Sequence, residues 1–223
     1  MNFDLSKEWV IIYPQGAVPS RKCIEDLSRC IGLLAEAGGH ASPKPPVIID
    51  ADTSTDSEIL IVLNCEKEGP ERNGFQWRAG NERIEIFGES YRGLCNGIYS
   101  FLSALGISWP APGQELLPAG PAEDPLSFPL SDRSAYEPSR YKGNDKAGAP
   151  WRRFVPAGAE EVKKILEENE AFVAWAARQR YDVLVFPPAV FASQSGEKLK
   201  QLEKEAAEYD ISLSHRFQVR ADN

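Results

Sequence analysis

The segment GFQWRAGNERIEIFG, residues 74–88, limits the fold more tightly than any other part of the chain. Apolar and polar residues alternate on both sides of a Gly80-Asn81 dipeptide. This period of two is typical of strands with one buried face, and Gly-Asn tolerates the positive φ angles of a tight turn. The segment therefore predicts a β-hairpin whose apolar face needs a covering layer.

The next segment, SYRGLCNGIYSFLSALG, predicts a helix that supplies this layer. Ser90 can cap its N-terminus, apolar residues recur every three or four positions, and Gly106 ends it. Gly93 and Gly97 lie on one face of the helix, although each glycine costs about 1 kcal/mol relative to alanine. We expect close packing of the helix against the sheet to offset this cost.

Strands and helices alternate in the rest of the chain. Apolar runs predict strands at WVIIY (9–13), VIID (47–50), ILIVL (59–63), YDVLVF (181–186) and ISLSHRF (211–217). Helical spacing predicts helices over residues 20–38, 160–180 and 196–209. This order predicts the α/β class, with a parallel sheet or a (β/α) barrel in the C-terminal part.

The net charge of the chain limits the kinds of molecule that it is expected to bind. Its 223 residues include 25 basic and 33 acidic side chains, which gives a net charge of −8. Such a chain repels phosphate backbones and anionic lipids, so we expect neither nucleic acid nor a membrane as the main partner. No apolar run can span a bilayer, and the N-terminus does not read as a signal peptide. We expect a cytoplasmic protein of bacterial type.

We predict no metal or cofactor site. The cysteines form no CxxC pair and the histidines are isolated: Cys23, Cys30, Cys65, Cys95, His40 and His215. The segment GESYRG resembles a phosphate loop, but Leu94-Cys95 stand where Lys and Ser/Thr are needed. The acidic segment DADTSTD lacks the glycine and the distal glutamate of a calcium loop.

We also predict no catalytic residue, because no GxSxG motif is present and adjacent glutamates do not converge on one substrate atom. Residues 110–158 are rich in proline and predict a linker toward a second unit. Trp109 and Trp151 flank this linker, and a flat indole can stack on a sugar ring. Trp109 can alternatively cover the end of the preceding helix.

One stretch, RIEIFGESYRGLCNGIYSFLSALGISWPAPGQELLP, resembles the small α/β domain that precedes the catalytic barrel in family 20 β-hexosaminidases and family 67 α-glucuronidases. The matching positions form a glycine-spaced helix and an aromatic exit segment: Gly93, Gly97, Tyr99, Leu102, Leu105, Gly106, Trp109, Pro112, Gly113, Glu115 and Pro118. The resemblance implies that Trp109 and its prolines form a stiff joint where the chain leaves the small domain.

The last third is similar to the start of such a barrel. FVAWAARQRYDVLVFPP resembles its first helix and second strand, and SAYEPSRYKG resembles its first strand. In family 20 an arginine of that strand binds sugar hydroxyls, and Arg140 is the matching position. Arg140 therefore joins Trp109 and Trp151 as a candidate substrate-binding residue.

The predicted fold is thus an α/β protein: an α+β sandwich of a mixed sheet with two helices, followed by the first β/α units of an incomplete TIM barrel. Residues 1–120 form the hexosaminidase- or α-glucuronidase-like domain. Residues 121–158 form the proline-rich linker with the first barrel strand, and residues 159–223 form the opening β/α units.

The resemblance implies a glycoside hydrolase parent, whereas a barrel needs eight strands and this chain has two or three strand units. The two families keep their catalytic carboxylates deeper in the barrel, and glycosidic cleavage needs such groups on both sides of the bond. We expect a non-catalytic N-terminal region of a protein of carbohydrate metabolism, which meets glycans through its parent and self-associates through unpaired barrel elements. A self-contained carbohydrate-binding or protein-interaction module and a small standalone enzyme are the alternatives.

Overall fold

The computed structural model describes residues 3–4, 8–13, 22–37, 47–50, 59–65, 73–80, 83–118, 127–128, 133–138, 151–187, 190 and 196–214. The strands are β1 (Phe3–Asp4), β2 (Trp9–Tyr13), β3 (Val47–Asp50), β4 (Ile59–Cys65), β5 (Phe75–Ala79), β6 (Arg83–Gly88), β7 (Ser127–Phe128), β8 (Ser134–Glu137), β9 (Arg153–Phe154), β10 (Val183–Val185) and β11 (Ser212–Ser214). The helices are α1 (Lys22–Ala37), α2 (Tyr91–Ala104), α3 (Ala159–Glu167), α4 (Asn169–Arg178) and α5 (Gly196–Ala207).

A six-stranded mixed sheet, in the order β3-β2-β4-β6-β5-β8, forms the first unit. Strands β3, β2, β4 and β6 are parallel, whereas β5 runs antiparallel to both of its neighbours. The alternating segment forms the β5–β6 hairpin, in which Trp77 pairs with Ile86. The predicted hairpin is therefore confirmed, and its apolar side chains share one face.

Helices α1 and α2 cover this apolar face of the sheet. The α1 side chains that face inward follow the spacing expected of an amphipathic helix, and Ile24, Leu27 and Ile31 are all buried. The ring of Trp77 packs edge-on against Phe101 of α2, with ring centroids 5.6 Å apart. A single layer of helices therefore closes the core on one side of the sheet.

Helix α2 lies unusually close to the sheet, as its glycines predict. The hydroxyl of Ser90 caps the helix by accepting a hydrogen bond from the Gly93 amide at 3.1 Å. A Cβ added to Gly93 would lie 2.3 Å from the backbone oxygen of Gly74. A Cβ at Gly97 would lie 2.9 Å from Ile86, but there the neighbour is a side chain. Close packing therefore accounts for both glycines.

The second unit is a three-stranded parallel sheet in the order β11-β10-β9. Helices α3 and α4 connect β9 to β10, and α5 lies between β10 and β11. The helix predicted over residues 160–180 is divided at Glu168, whose φ of −112° and ψ of 33° depart from helical values. The chain therefore has the mixed α/β class that the sequence predicts.

One strand lies in a different sheet from the one expected. The resemblance implies that SAYEPSRYKG contains the first strand of the C-terminal parallel set, but Ser134–Glu137 pairs with β5 at the edge of the six-stranded sheet. Trp77 and Ala135 are direct partners there, which extends the apolar face by one strand. Within the described residues, the first strand of the parallel set is Arg153–Phe154.

The two sheets share one hydrophobic core. Buried residues of α1, α2, α4 and α5 belong to a single contiguous cluster that also contains Leu184 and Phe186. The helices thus form the middle of the molecule, with the six-stranded sheet on one side and the parallel sheet on the other. Among the described helices, none is both long and apolar enough to cross a membrane.

The glycine contacts predict graded effects of adding one methyl group. Gly93→Ala should lower the free energy of unfolding by about 3 kcal/mol, because its Cβ meets a backbone oxygen that cannot move independently. Gly97→Ala should cost less, since the Ile86 side chain can shift. Urea unfolding of both variants, with Gly196→Ala as a control in open space, checks this order. Equal stability of Gly93→Ala and the control would contradict the close packing.

Candidate functional site

Trp109 lies where the chain leaves the first unit, in an exit segment of residues 107–118. Gly106 ends the preceding helix with a φ of +91°, and Ser108 and Leu116 then close the exit segment through two backbone hydrogen bonds. The indole of Trp109 is only 3% exposed and packs edge-on against Tyr99 at 5.8 Å. The exit segment is therefore a compact loop built around a buried ring.

The backbone of Trp109 also contacts the second unit. Its carbonyl oxygen accepts hydrogen bonds from Trp175 Nε1 at 3.1 Å and from Gln179 Nε2 at 2.6 Å. Both donors lie on or directly after α4, and the Arg178 guanidinium lies over the Trp109 ring at 5.7 Å. One residue thus joins the exit segment to the helix that precedes β10.

A buried carboxylate at this point receives two guanidinium groups. Arg178 donates from Nε and Nη2 to the two oxygens of Asp26, each at 2.9 Å. Arg29 donates to the same carboxylate from Nε at 3.1 Å and from Nη2 at 2.8 Å. The hydroxyl of Tyr99 adds a further hydrogen bond at 3.1 Å. Asp26 therefore links α1, α2 and α4 through five donors.

Glu115 extends this network to the exit segment. Its carboxylate accepts hydrogen bonds from both terminal nitrogens of Arg29, at 2.7 and 2.8 Å. It also accepts one from the Trp109 indole nitrogen at 2.7 Å. Two carboxylates and two guanidinium groups thus form a neutral chain, which we call the joint network: Arg178, Asp26, Arg29 and Glu115, with Tyr99 and Trp109 as neutral members.

A further contact between the units is made by Arg92, whose side chain is 2% exposed. It donates to the backbone oxygen of Tyr181 at 2.7 Å and to that of Tyr209 at 3.2 Å. Its Nε lies 3.7 Å from Asp182, whose other carboxylate oxygen accepts a hydrogen bond from the Arg152 amide. A buried arginine of α2 therefore holds the chain at the points where it enters β10 and β11.

The electrostatics of the joint network suit a structural role. Hydrogen bonds from Arg29 lower the pKa of Glu115 to about 2, and the bond to Glu115 raises the pKa of Arg29. Burial raises the pKa of the neighbouring Cys30 thiol and that of Tyr99, so both stay protonated at neutral pH. Glu115 is therefore held as a carboxylate at neutral pH, and Tyr99 as a neutral phenol that donates its hydrogen bond to Asp26.

The predicted substrate-binding residues do not come together. Trp109 is enclosed by protein groups and takes part in the joint network, and stacking of its ring on a sugar stays a prediction. Trp151 is 8% exposed and packs against Val183 and Val185 on the other face of the parallel sheet. Arg140 lies outside the described residues, and its role stays a prediction.

An aromatic cavity of about 120 Å³ lies between Pro112, Phe154 and α3–α4, well below the roughly 300 Å³ at which small-molecule sites begin. No group of three or more His, Cys, Asp or Glu side chains within this part of the chain could hold a metal ion. The joint network is thus the most highly organised polar feature described.

Sequence reasoning missed the partners of Trp109. Asp26 and Arg178 are 152 positions apart, and nothing local marks them as a pair. The sequence gives a weak indication that Glu115 is a partner of Trp109, since it follows Trp109 by six residues in the segment WPAPGQE. Its bond to the indole nitrogen explains why this spacing closes the loop.

Comparisons with known proteins identify the fold. Similar solved structures include a family 20 chitobiase of Flavobacterium johnsoniae (TM-score 0.56, 15% identity, 96% of this chain, 32% of that chain). Another is a family 115 4-O-methyl-α-glucuronidase with specificity for decorated arabinogalactans, with a TM-score of 0.55 and 14% identity. The alignment covers 97% of this chain and 29% of that chain. A third is a β-N-acetylhexosaminidase of Bacteroides fragilis, with a TM-score of 0.51 and 13% identity. The alignment covers 96% of this chain and 40% of that chain.

These similarities concern the fold, because the identities are low. Nearly all of this chain aligns, but it spans less than half the length of each of these three proteins. No protein-family model and no curated protein sequence matches the chain. The chain thus has the fold of a partial glycoside-hydrolase domain, which confirms the resemblance and the α/β class.

Removing the central carboxylate should destabilise the whole protein. Asp26→Asn leaves the largely buried Arg178 without its counter-charge and removes one of the two carboxylates that bind Arg29, and we expect a loss of about 3 kcal/mol in the free energy of unfolding. Glu85→Gln removes a carboxylate from an exposed pair of arginines and should cost less than about 1 kcal/mol. Urea unfolding of both variants measures the difference. A loss for Asp26→Asn no larger than that for Glu85→Gln would contradict a central role for Asp26.

Acid should weaken the joint in a defined window. Folding lowers the pKa of Glu115 from its ordinary 4.5 to about 2, so its stabilising contribution is fully present above pH 4.5 and is lost as the pH falls toward 2. Glu115→Gln lacks this contribution. The stability gap between the native protein and Glu115→Gln, measured by urea unfolding, should be constant near neutral pH and shrink in that window. A gap that does not change down to pH 2.5 would show that Arg29 does not hold this carboxylate.

Proposed function

We propose that this chain is a non-catalytic scaffold within a glycoside-hydrolase-like protein of carbohydrate metabolism. In this proposal the six-stranded unit covers one side of a (β/α)₈ barrel, and β9, β10 and β11 are its opening strands. The joint network is the observation that carries the proposal. It fixes the first unit against α4 through charged groups that are fully engaged with one another.

The arrangement of the second unit supports the barrel assignment. Its three strands are parallel and alternate with helices on one face, which is how a barrel wall begins. In the described part, β9 and β11 each pair on one side only, so further strands can add at both edges. We propose that such strands complete the cylinder, and that glycans bind at its carboxyl-terminal rim.

The chemistry also favours scaffolding over catalysis by these residues. Glycosidases place two carboxyl groups about 5–10 Å apart around the scissile bond. The described carboxylates with the most contacts, Asp26 and Glu115, are bound to arginines and lie between helices. An alternative carbohydrate-binding module based on Trp109 and Trp151 is less favoured, since both rings are buried.

Turnover assays test this proposal directly. The purified chain should release no chromophore from nitrophenyl β-N-acetylglucosaminide or nitrophenyl α-glucuronide above the buffer rate, because the described carboxylates with the most contacts are bound to arginines. Heat-denatured protein is the matched control. Release by the native protein that disappears when one of its carboxylates is changed to an amide would contradict a non-catalytic role.

A further inference from the structure

The six-stranded sheet has a second face, opposite α1 and α2. Strand alternation places Gln76 and Arg78 of β5 on this face, directly beside Tyr136 and Ser134 of β8. The side chain of Tyr136 is 68% exposed, more than any other large apolar side chain in the described residues. An aromatic ring is therefore exposed to solvent among polar side chains on this face of the sheet.

Two arginines converge beside this ring. Arg78 Nη2 and Arg83 Nε donate to the two oxygens of Glu85 at 2.8 and 2.9 Å. Within the described residues both guanidinium groups bond to Glu85 alone, and their side chains are 69% and 55% exposed. The N–H groups that Glu85 does not use are therefore available to a ligand.

The arginines line a surface cavity of about 390 Å³ together with Gly80 and Ser134. This volume lies within the range of small-molecule sites. Tyr136 pairs with Gln76, which is two positions from Arg78, so the backbone positions of the two side chains are separated by one strand repeat of about 7 Å along the sheet. One short linear ligand can contact both.

We propose that this face binds an oligosaccharide that carries carboxylate groups. Tyr136 would stack on the apolar side of one pyranose ring, and Arg78 and Arg83 would bind the carboxylate of the adjacent sugar. Guanidinium groups match the planar geometry of carboxylates through paired hydrogen bonds. The net charge of −8 and the central Glu85 disfavour densely charged polyphosphates. The face is remote from the joint network, so the proposal does not depend on the scaffold role.

Isothermal titration calorimetry with tetragalacturonate, and with neutral maltotetraose as the comparison sugar, tests the site. Arg78→Ala should weaken binding of tetragalacturonate about tenfold, the effect of one lost charge-assisted hydrogen bond. Tyr136→Ala should weaken it as well, whereas Tyr136→Phe should keep the native affinity. Lys163→Ala, which removes one exposed positive charge on α3, is the matched control and should bind normally.

Glu85→Gln should change the affinity for tetragalacturonate in the opposite direction. It removes a negative charge that competes for both arginines, so tetragalacturonate should bind more tightly than it does to the native protein. Absence of tetragalacturonate binding, equal affinity for maltotetraose, or an Arg78→Ala affinity equal to that of Lys163→Ala would each overturn the proposal. Tighter binding of single-stranded DNA that is lost in Arg78→Ala would also overturn it, in favour of a general polyanion site. Circular dichroism confirms that every variant is folded.

Discussion

The bond between Asp26 and Arg178 is the interaction on which the arrangement of the two units depends. It joins a helix of the six-stranded unit to the helix that leads into β10, and both side chains are largely buried. A buried ion pair is weak support for stability unless its remaining hydrogen-bonding capacity is satisfied. Here Arg29 and Tyr99 donate further hydrogen bonds to Asp26, and Glu115 in turn accepts hydrogen bonds from Arg29. The pair therefore fixes orientation as well as contributing free energy.

The surrounding packing explains why this pair forms where it does. Helix α2 lies close to β5 and β6 because glycines remove the side chains that would separate them. This close approach leaves the other side of α2 free to meet the second unit, which it does through Arg92. The exit segment then places Trp109 between the units, with its indole bound to Glu115 and its carbonyl to α4. The close packing of α2 at its glycines and the contacts of Trp109 thus act together to hold the second unit against the first.

The sequence predicted local features well and long-range features poorly. The β5–β6 hairpin and α2 follow from alternation, capping and helical spacing within about 30 residues. The salt bridge between Asp26 and Arg178 spans 152 positions, and no local pattern encodes it. The resemblance places Ser134–Glu137 in the first barrel strand, but this strand pairs with β5, because a short local sequence pattern does not specify which strand it joins. Trp109 has two interpretations in the sequence, and its burial favours the joint over a sugar platform.

Native-state hydrogen exchange tests most directly whether the joint makes the two units one cooperative structure. The amides of β10 and β6 should exchange with the same free energy of opening, because neither sheet can open while the joint network and the shared core are intact. In Asp26→Asn the β10 amides should lose protection before those of β6. If the β10 amides of the native protein already exchange through a separate opening of much lower free energy, the two units are not held together as described.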